Sequence, residues 1–367
     1  MMISKMFKIG SVFAVMSMAT ASPVALTAAN NVSYSMQGSS QVAGAPASGE
    51  TVVGAFPAPP TGSGPGTLAV WQPDKGIVRS VSFAKAGNSF YVAVDPANDS
   101  VFVPTAAGIT YIVNTTTWSV AGHFKSLVGG RVAKVSPNGE LLIVESPGQT
   151  AAYKTTAPYG QVFSTPVGGN ALVVAPGGSD AFIGGNADSS IKEIALATGK
   201  IVSTFAVSQS GDMVWARGKI FSGDILTGVM SVINPDTGTI VKITTPEVDP
   251  LFSYRNIPAA TAGFMQLAVS PGQRRVYAAG FSGHILAFST RQDAYVGEVS
   301  VNADGATPAV NLLSGLTVLP GGGRAVVTIE NLGRSVVVSL ETGKILKSAG
   351  LLASNRWVSL PVGSQGS

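Results

Sequence analysis

The feature that most constrains this chain is a β-hairpin that recurs along it. In its clearest copy, two strand-like runs flank the turn Asn234-Pro235-Asp236-Thr237-Gly238. Proline presets φ for a type I turn, the Asp236 side chain can bond the nearby backbone, and glycine takes the left-handed position that closes the hairpin. Similar turns centre at Gly76, Trp118, Gly160, Gly199, Gly238, Asp293 and Gly343. The hairpin therefore repeats at intervals of about 40 residues, with two longer intervals near the end.

A second series of strands lies between these hairpins. Each member is an apolar strand that ends in a turn, and the turns lie at Pro96, Pro137, Pro176, Gly218, Pro271, Pro320 and Pro361. A further strand follows most of these turns, so each repeat comprises four short antiparallel strands. A lone sheet of this size cannot bury both of its faces, whereas radial stacking of such sheets can. The sequence predicts an all-β fold, a seven-bladed β-propeller of four-stranded antiparallel blades.

The order of the repeats predicts that one blade is split between the chain ends. We name the strands of a blade A to D from the inside outwards. The chain starts on a C–D hairpin and ends on an A strand, so residues 356–361 would supply the innermost strand of that blade and residues 50–56 its second. Residues 67–72 and 77–83 would supply the outer two. Closing the ring in this way removes an exposed sheet edge.

The composition excludes several classes of protein. Charged residues make up 11% of the chain, against about 25% in ordinary globular proteins. The formal net charge of +4 gives no footprint for nucleic acid or for an anionic membrane. The absence of cysteine excludes disulfides, thiolate catalysis and a covalently attached c-type haem.

The first residues have the pattern of a targeting segment. Lys5 and Lys8 precede an apolar run that ends near Ala19, and a small-residue cleavage site ends at Ala21. We expect a signal peptide over residues 1–21, a Ser/Gly/Pro-rich segment over 22–49 and the propeller over 50–367. The protein is then exported to the periplasm or the extracellular space and does not span a membrane after cleavage. Retention as a signal anchor is the alternative.

Three of the hairpins carry a resemblance to a known family. The stretches Ile-Asn-Pro-Asp-Thr-Gly-Thr-Ile-Val, Leu-Ala-Thr-Gly-Lys-Ile-Val and Leu-Glu-Thr-Gly-Lys-Ile-Leu resemble the turns of the YVTN-repeat propellers. That superfamily includes YncE-like periplasmic proteins, lactonase-like propellers and the propeller subunits of amine dehydrogenases. The resemblance implies an exported propeller with a binding or scaffold role, and it identifies no catalytic residue.

The candidate site is one mouth of the central channel, where the D–A and B–C loops of a propeller meet. Two D–A connections, 246–262 and 302–309, are longer than the rest, and loops on a rigid scaffold commonly carry function. The candidate ligand-binding residues are Arg131, Asp224, Tyr254, Arg255, His284, Glu330, Arg334 and Arg356. Arginines beside a carboxylate could hold an anionic or sugar-like ligand. The alternative is that these charges only solvate the loop tips.

The sequence predicts neither a metal site nor a cofactor. Two histidines without cysteine cannot build a histidine-rich metal centre, and no acidic calcium loop occurs. His284 could act as a proton acceptor or a single metal ligand, or it could hold its own loop by hydrogen bonding.

The leading prediction for function is an exported, non-catalytic propeller that binds a protein, peptide or glycan. One alternative is a propeller enzyme or enzyme subunit, either a lactonase-like hydrolase or a subunit of quinoprotein or amine dehydrogenase type. The other is a structural protein of a surface or matrix. The sequence specifies no oligomeric state.

Overall fold

The computed structural model describes residues 50–56, 66–83, 91–95, 99–184, 189–225, 227–245, 263–301, 312–350 and 354–360. Over these residues the chain forms 28 strands in seven four-stranded sheets. The helical elements described are short 3-10 turns, at Pro73–Lys75, Pro271–Gln273 and Glu330–Leu332. None of the described helices has the length and apolar character that crossing a membrane requires. The predicted signal peptide and the segment 22–49 lie outside the described residues.

The strands follow one another in groups of four after an initial group of three. Blade 1 takes β1 (Val52–Phe56), β2 (Gly66–Gln72) and β3 (Ile77–Phe83); blade 2, β4 (Ala93–Asp95), β5 (Ser100–Pro104), β6 (Ile109–Asn114) and β7 (Ser119–Lys125); blade 3, β8 (Val132–Val135), β9 (Leu141–Ser146), β10 (Gln149–Lys154) and β11 (Gln161–Thr165); blade 4, β12 (Ala171–Val174), β13 (Asp180–Gly184), β14 (Ser190–Ala195) and β15 (Lys200–Ala206).

The second half of the chain continues the same pattern. Blade 5 takes β16 (Ser210–Ala216), β17 (Lys219–Asp224), β18 (Met230–Ile233) and β19 (Ile240–Ile243); blade 6, β20 (Phe264–Val269), β21 (Arg275–Gly280), β22 (His284–Ser289) and β23 (Ala294–Ser300); blade 7, β24 (Leu313–Val318), β25 (Arg324–Ile329), β26 (Arg334–Ser339) and β27 (Ile345–Ser348). The last strand is β28 (Trp357–Ser359).

The split blade is confirmed. Strand β28 pairs antiparallel with β1, and the four strands of blade 1 lie in the order β28-β1-β2-β3. In this register Gly54 lies opposite Trp357. A Cβ atom on Gly54 would lie 2.6 Å from the Ser354 hydroxyl oxygen, so the close approach of the two chain ends requires glycine at this position.

The predicted hairpin turns are confirmed with one shift. Positive φ angles occur at six of the predicted centres, including the non-glycine residues Trp118 (53°) and Asp293 (50°). In blade 3 the left-handed residue is Tyr159 (58°) rather than Gly160, so that prediction is wrong by one position. In the clearest hairpin the side chain that bonds the turn belongs to Asn234, whose Oδ1 accepts the backbone N–H groups of Asp236 and Thr237. Asn234 therefore takes the role predicted for Asp236.

The core lies between the blades. Seven clusters of buried apolar side chains each join two neighbouring sheets, and together they cover every blade-to-blade interface. At the interface of blades 7 and 1, Trp71 and Trp357 pack with their ring centroids 6.3 Å apart. The Trp357 Nε1–H group donates to the Thr328 and Ser335 hydroxyls at 2.9 and 3.1 Å. Both faces of a blade are thus buried, as radial stacking requires.

At the A–B and C–D end of the channel, blades 1 and 7 are also joined by charged groups. Arg324 in β25 lies 2.7 Å from the Glu50 carboxylate and 2.9 Å from that of Asp74. Lys347 in β27 lies 3.4 Å from Asp74 and donates to the carbonyl of Pro73 at 2.9 Å. We call Glu50, Asp74, Arg324 and Lys347 the closure ion cluster.

Candidate functional site

Five polar side chains from five different blades meet at the channel end where A strands begin and B strands end. They are Tyr91 (blade 2), Glu145 (blade 3), Asp212 (blade 5), Glu330 (blade 7) and Arg356 (blade 1), and we call them the channel cluster. Arg356 lies directly before the A strand β28, Tyr91 lies two residues before β4, and Asp212 lies near the start of β16. Glu145 and Glu330 lie at the ends of the B strands β9 and β25. Because A strands start where B strands finish, the propeller topology alone brings these positions to one mouth.

Arg356 extends from the last strand across this end of the channel. Its Nε–H donates to the Tyr91 hydroxyl, Nη1 donates to the carbonyl of Asn355 at 2.8 Å, and Nη2 donates to the carbonyl of Gly211 at 3.4 Å. The guanidinium carbon lies 4.8 Å from the centroid of the Tyr91 ring. Burial on its own lowers the pKa of Arg356, but the charges and hydrogen bond of the surrounding groups outweigh it, and the net shift is upward. Arg356 therefore stays charged.

Asp212 connects the cluster to the channel wall. Its Oδ2 accepts the backbone N–H of Leu267 at 2.8 Å, which ties blade 5 to blade 6. Burial raises the pKa of Asp212, and the charges of Arg356 and Lys134 oppose that rise. Burial is also the main cause that raises the pKa of the Tyr91 hydroxyl.

Glu145 is the most isolated of the five. Its side chain is fully buried, and neither carboxyl oxygen makes a hydrogen bond of ordinary geometry to the described part of the chain. Burial raises its pKa well above the ordinary value. A hydrogen bond from the Gly169 backbone N–H, outside ordinary geometry, lowers it, and the charge of Asp212 raises it further. A buried carboxyl in such surroundings keeps its proton more readily than one in water.

Glu330 begins the short turn between β25 and β26 and is only partly exposed. Burial of its carboxyl raises its pKa, opposed by a hydrogen bond with Ser314 and by the charge of Arg356. The cluster thus contains three carboxyl groups whose pKa values are all raised, grouped around one guanidinium.

Gln266 in β20 fixes the strand that carries Arg356. Its Nε2 donates to the carbonyl of Trp357 at 2.8 Å, and its Oε1 accepts the N–H groups of Trp357 and Leu316 at 2.9 and 2.7 Å. One side chain therefore satisfies backbone groups of two neighbouring A strands. Because Trp357 follows Arg356 directly, this bracket also positions the guanidinium.

The structure brings two of the predicted residues, Glu330 and Arg356, into the channel cluster. Arg131 lies beside it, since its backbone N–H donates to the carbonyl of Glu145 at 2.8 Å. Tyr254 and Arg255 lie outside the described residues. The long connections 246–262 and 302–309 also lie outside them.

The other three predicted residues lie elsewhere on the blades. Asp224 is buried at the end of β17, where its Oδ1 accepts the Thr227 N–H at 3.1 Å and shapes the B–C turn. His284 lies 3.1 Å from the Ser282 hydroxyl and 3.9 Å from the Glu298 carboxylate. Arg334 lines an outer cavity of about 460 Å³ that Ser300 of blade 6 shares with the C–D turn of blade 7.

Three members of the channel cluster were missed by the sequence reasoning: Tyr91, Glu145 and Asp212. Tyr91 lies two residues before β4, Asp212 is the third residue of β16, and Glu145 is the next-to-last residue of β9. The positional rule that selected Arg131 and Arg356, a polar residue just before an A strand, could have found the first two. Extending it to the last two residues of B strands would have found Glu145.

A smaller cavity of about 240 Å³ lies among the A strands of blades 3 to 6, and its lining includes Lys134, Val174, Met213 and Trp215. Its lining is largely apolar, in contrast to the channel cluster. Among the described residues, no group of three or more His, Cys, Asp or Glu side chains could hold a metal ion.

Comparison with known proteins identifies the fold only. No family model matches the chain, and no curated protein matches it. Among solved structures, the chain is similar to hydrazine synthase of Kuenenia stuttgartiensis, with a TM-score of 0.62 and 11% sequence identity over 73% of this chain and 88% of that one. The chain is a seven-bladed β-propeller. At such low identity the likeness says nothing about activity, because one fold supports many functions.

Proposed function

We propose that this chain is an exported, non-catalytic propeller that binds a protein, peptide or glycan at the channel mouth formed by the D–A and B–C loops. The observation that carries the proposal is the channel cluster, because ionisable groups are rarely buried together without a role. Five blades each contribute one polar side chain to a single mouth, and four of the five are almost fully buried. The sequence predicts that the two long D–A connections, 246–262 and 302–309, reach the same mouth.

We also propose that the chain belongs with the YVTN-repeat propellers. The support is the Asp-Thr-Gly, Ala-Thr-Gly and Glu-Thr-Gly turns, which close C–D hairpins in blades 5, 4 and 7. Export rests on the predicted signal peptide of residues 1–21.

The test is a binding screen of the chain without its predicted signal peptide against glycan and peptide arrays, followed by calorimetry on the strongest binder. The double variant Tyr254→Ala with Arg255→Ala removes two predicted contacts, and we expect it to bind at least tenfold more weakly. Arg217→Ala is the matched control, since Arg217 is exposed in an A–B turn at the opposite end of the channel. Equal weakening by both variants, or the absence of any binder, would contradict the proposal.

A propeller enzyme is the second candidate, favoured by the raised pKa values of Glu145, Asp212 and Glu330 beside Tyr91. Carboxyl groups with raised pKa values are typical of general acids and bases. Lactone and phosphate-ester substrates, with and without divalent ions, test this candidate. Turnover that Glu330→Ala or His284→Ala abolishes would replace the binding proposal.

A further inference from the structure

We infer that the cavity of about 240 Å³ among the A strands of blades 3 to 6 binds a small amphiphilic carboxylate, and that Lys134 holds the carboxylate group of this ligand. The ligand is an acid whose body is a single ring or a short aliphatic chain. This site is separate from the proposed binding mouth and lies nearer the other end of the channel. The inference follows from the place of the cavity, from its apolar wall and from the surroundings of Lys134.

The cavity lies where the A strands end. Val135, Val174 and Val269 are the last residues of β8, β12 and β20, and all three line the cavity. Pro137, in the A–B turn of blade 3, lines it as well. The cavity is open to solvent, and these positions place its opening at the A–B and C–D end of the channel. A small molecule can therefore enter it without passing the channel cluster.

Most of the cavity wall is apolar. Val135, Val174 and Val214 are only partly buried, so each leaves apolar surface exposed to the cavity. Trp215 is also partly buried, and its ring is held beside that of Phe182 with 5.8 Å between the centroids. A concave site with an apolar wall and few polar groups is the usual form of a small-molecule pocket. This wall therefore favours a ligand with an apolar body.

Lys134 is the exception in this wall. Among the described residues that line the cavity, it alone carries a charge. It lies three residues before Pro137, and the same position before the other turn prolines is occupied by Ala93, Val173, Ala268, Thr317 and Val358. Those blades form their inner strands without a charge at this position, so the fold itself does not require lysine there.

The ammonium group of Lys134 has no close partner in the part of the chain that the structure describes. Its side chain makes no hydrogen bond there, and no carboxylate oxygen lies within 4.0 Å of it. Its charge acts on Asp212, two blades away, but Arg356 acts on Asp212 more strongly, and the Asp212 carboxylate accepts the Leu267 N–H at 2.8 Å. An ammonium group beside apolar surface is stabilised by an anion that forms a charge-assisted hydrogen bond with it.

The volume of the cavity limits the size of the ligand. An apolar cavity of about 150 Å³ holds a benzene molecule, whereas drug-sized ligands occupy about 300–1,000 Å³. At about 240 Å³, this cavity admits one ring or a short chain together with a carboxylate group. An inorganic anion would leave the apolar wall exposed to water, so a carboxylate with an apolar body fits better.

The experiment compares para-toluate with para-toluamide, which have the same ring and nearly the same size but differ in charge. Calorimetry at low salt and neutral pH measures both ligands, and acetate, against the wild type, Lys134→Met and Lys134→Arg. We expect the wild type to bind para-toluate about tenfold more tightly than either para-toluamide or acetate. Lys134→Met should remove the preference over para-toluamide, and Lys134→Arg should retain it. Lys154→Met, at an exposed position in β10 of the same blade, is the matched control and should leave it unchanged.

Val174→Thr tests the apolar wall, and it keeps the inference testable if Lys134→Met does not fold. It replaces a methyl group with a hydroxyl, so we expect it to weaken the binding of para-toluate about threefold and to leave that of acetate unchanged. Equal binding of para-toluate and para-toluamide by the wild type, a preference that Lys134→Met retains, or no binding of para-toluate would overturn the inference.

The proposed function and this inference fail separately. If an array ligand binds at the mouth of the D–A and B–C loops while para-toluate does not bind, the inference fails and the proposed function stands. If para-toluate binds with the expected dependence on Lys134 while no array ligand binds, the inference stands and the proposed function fails.

Discussion

At the scale of single residues, Glu145 stands out because its carboxyl group is fully buried, which makes ionisation of that group unfavourable. A carboxyl group without water around it is stabilised in its neutral form, because the charged form loses its hydration. Burial is the largest cause of the raised pKa of Glu145, and the neighbouring charge of Asp212 adds to it. In turn, the charge of Glu145 contributes to the raised pKa of the Tyr91 hydroxyl.

We predict that the stability of the wild type falls relative to Glu145→Gln as the pH rises. Between the unfolded pKa near 4.3 and the higher folded value, the native state binds a proton that the unfolded state has lost, so ionisation works against folding. The difference in unfolding free energy should grow by about 1.4 kcal/mol per pH unit in that window. Urea unfolding from pH 4 to pH 8 measures it.

Glu140→Gln serves as the control for this series, because Glu140 is exposed in the A–B turn of the same blade. A pH dependence that Glu145→Gln leaves unaltered would show that Glu145 ionises in the native state as it does in water.

At the scale of elements, β28 is the strand that closes the ring. It has three residues, yet it carries Arg356 at its start and Trp357 in the core, and Gln266 fixes its backbone. The Ser354 hydroxyl donates at 2.7 Å to the carbonyls of Ala55 or Arg356, so it joins the last segment to β1. Ring closure and the channel cluster are therefore held by the same few residues.

We predict that Gly54→Ala weakens ring closure and lowers the unfolding free energy by about 1–3 kcal/mol, the usual cost of overpacking. The new methyl group would lie 2.6 Å from the Ser354 hydroxyl oxygen and 3.0 Å from the carbonyl of Arg356. Gly323→Ala is the control, since a Cβ there meets no atom within 4 Å. Chemical denaturation compares the two, and equal stabilities would disprove a close contact at Gly54.

Much of this element level could be predicted from the chain alone. Gly, Asp and Asn at the hairpin turns indicated their positions, and the resulting order of strands indicated the split blade. The prediction of a turn centre at Gly160 was wrong because Tyr159 takes the left-handed φ angle, and tyrosine has no preference for that region. The residues of the channel cluster were harder to find: their positions at the ends of A and B strands nominate them, but the same rule also nominates polar residues such as Asp224, which lies outside the cluster.

At the scale of the whole molecule, two different interfaces between blades 7 and 1 close the ring. One is the apolar contact of Trp71 and Trp357, and the other is the closure ion cluster at the A–B and C–D end of the channel. A hydrogen bond from Arg324 is the first cause that lowers the pKa of Asp74, and the charges of Arg324 and Lys347 contribute to it. Asp74 is largely solvated, so its ion pairs contribute to the free energy of unfolding as a surface ion pair does, by about 0.2–1 kcal/mol.

We predict that Asp74→Asn destabilises the ring by this amount at pH 7 and has no effect near pH 2. The folded pKa of Asp74 is lowered, so its stabilisation is present above the unfolded pKa near 3.9 and is lost as the pH falls through the folded value. Sodium chloride at 1 M should reduce the effect by screening. Thermal melts of wild type, Asp74→Asn and the control Asp236→Asn test this, and an effect that is the same at both pH values would rule out the ion cluster.

The sequence by itself determined the blades, their number and their closure, because turn residues and alternating apolar strands act locally and repeat. Only the tertiary structure decided which side chains share the channel mouth. Tyr91 and Arg356 are separated by most of the chain, and they meet because a closed ring places the start of every A strand around one axis. Contacts of that kind depend on the geometry of the ring and not on any neighbouring residue, so no local pattern records them.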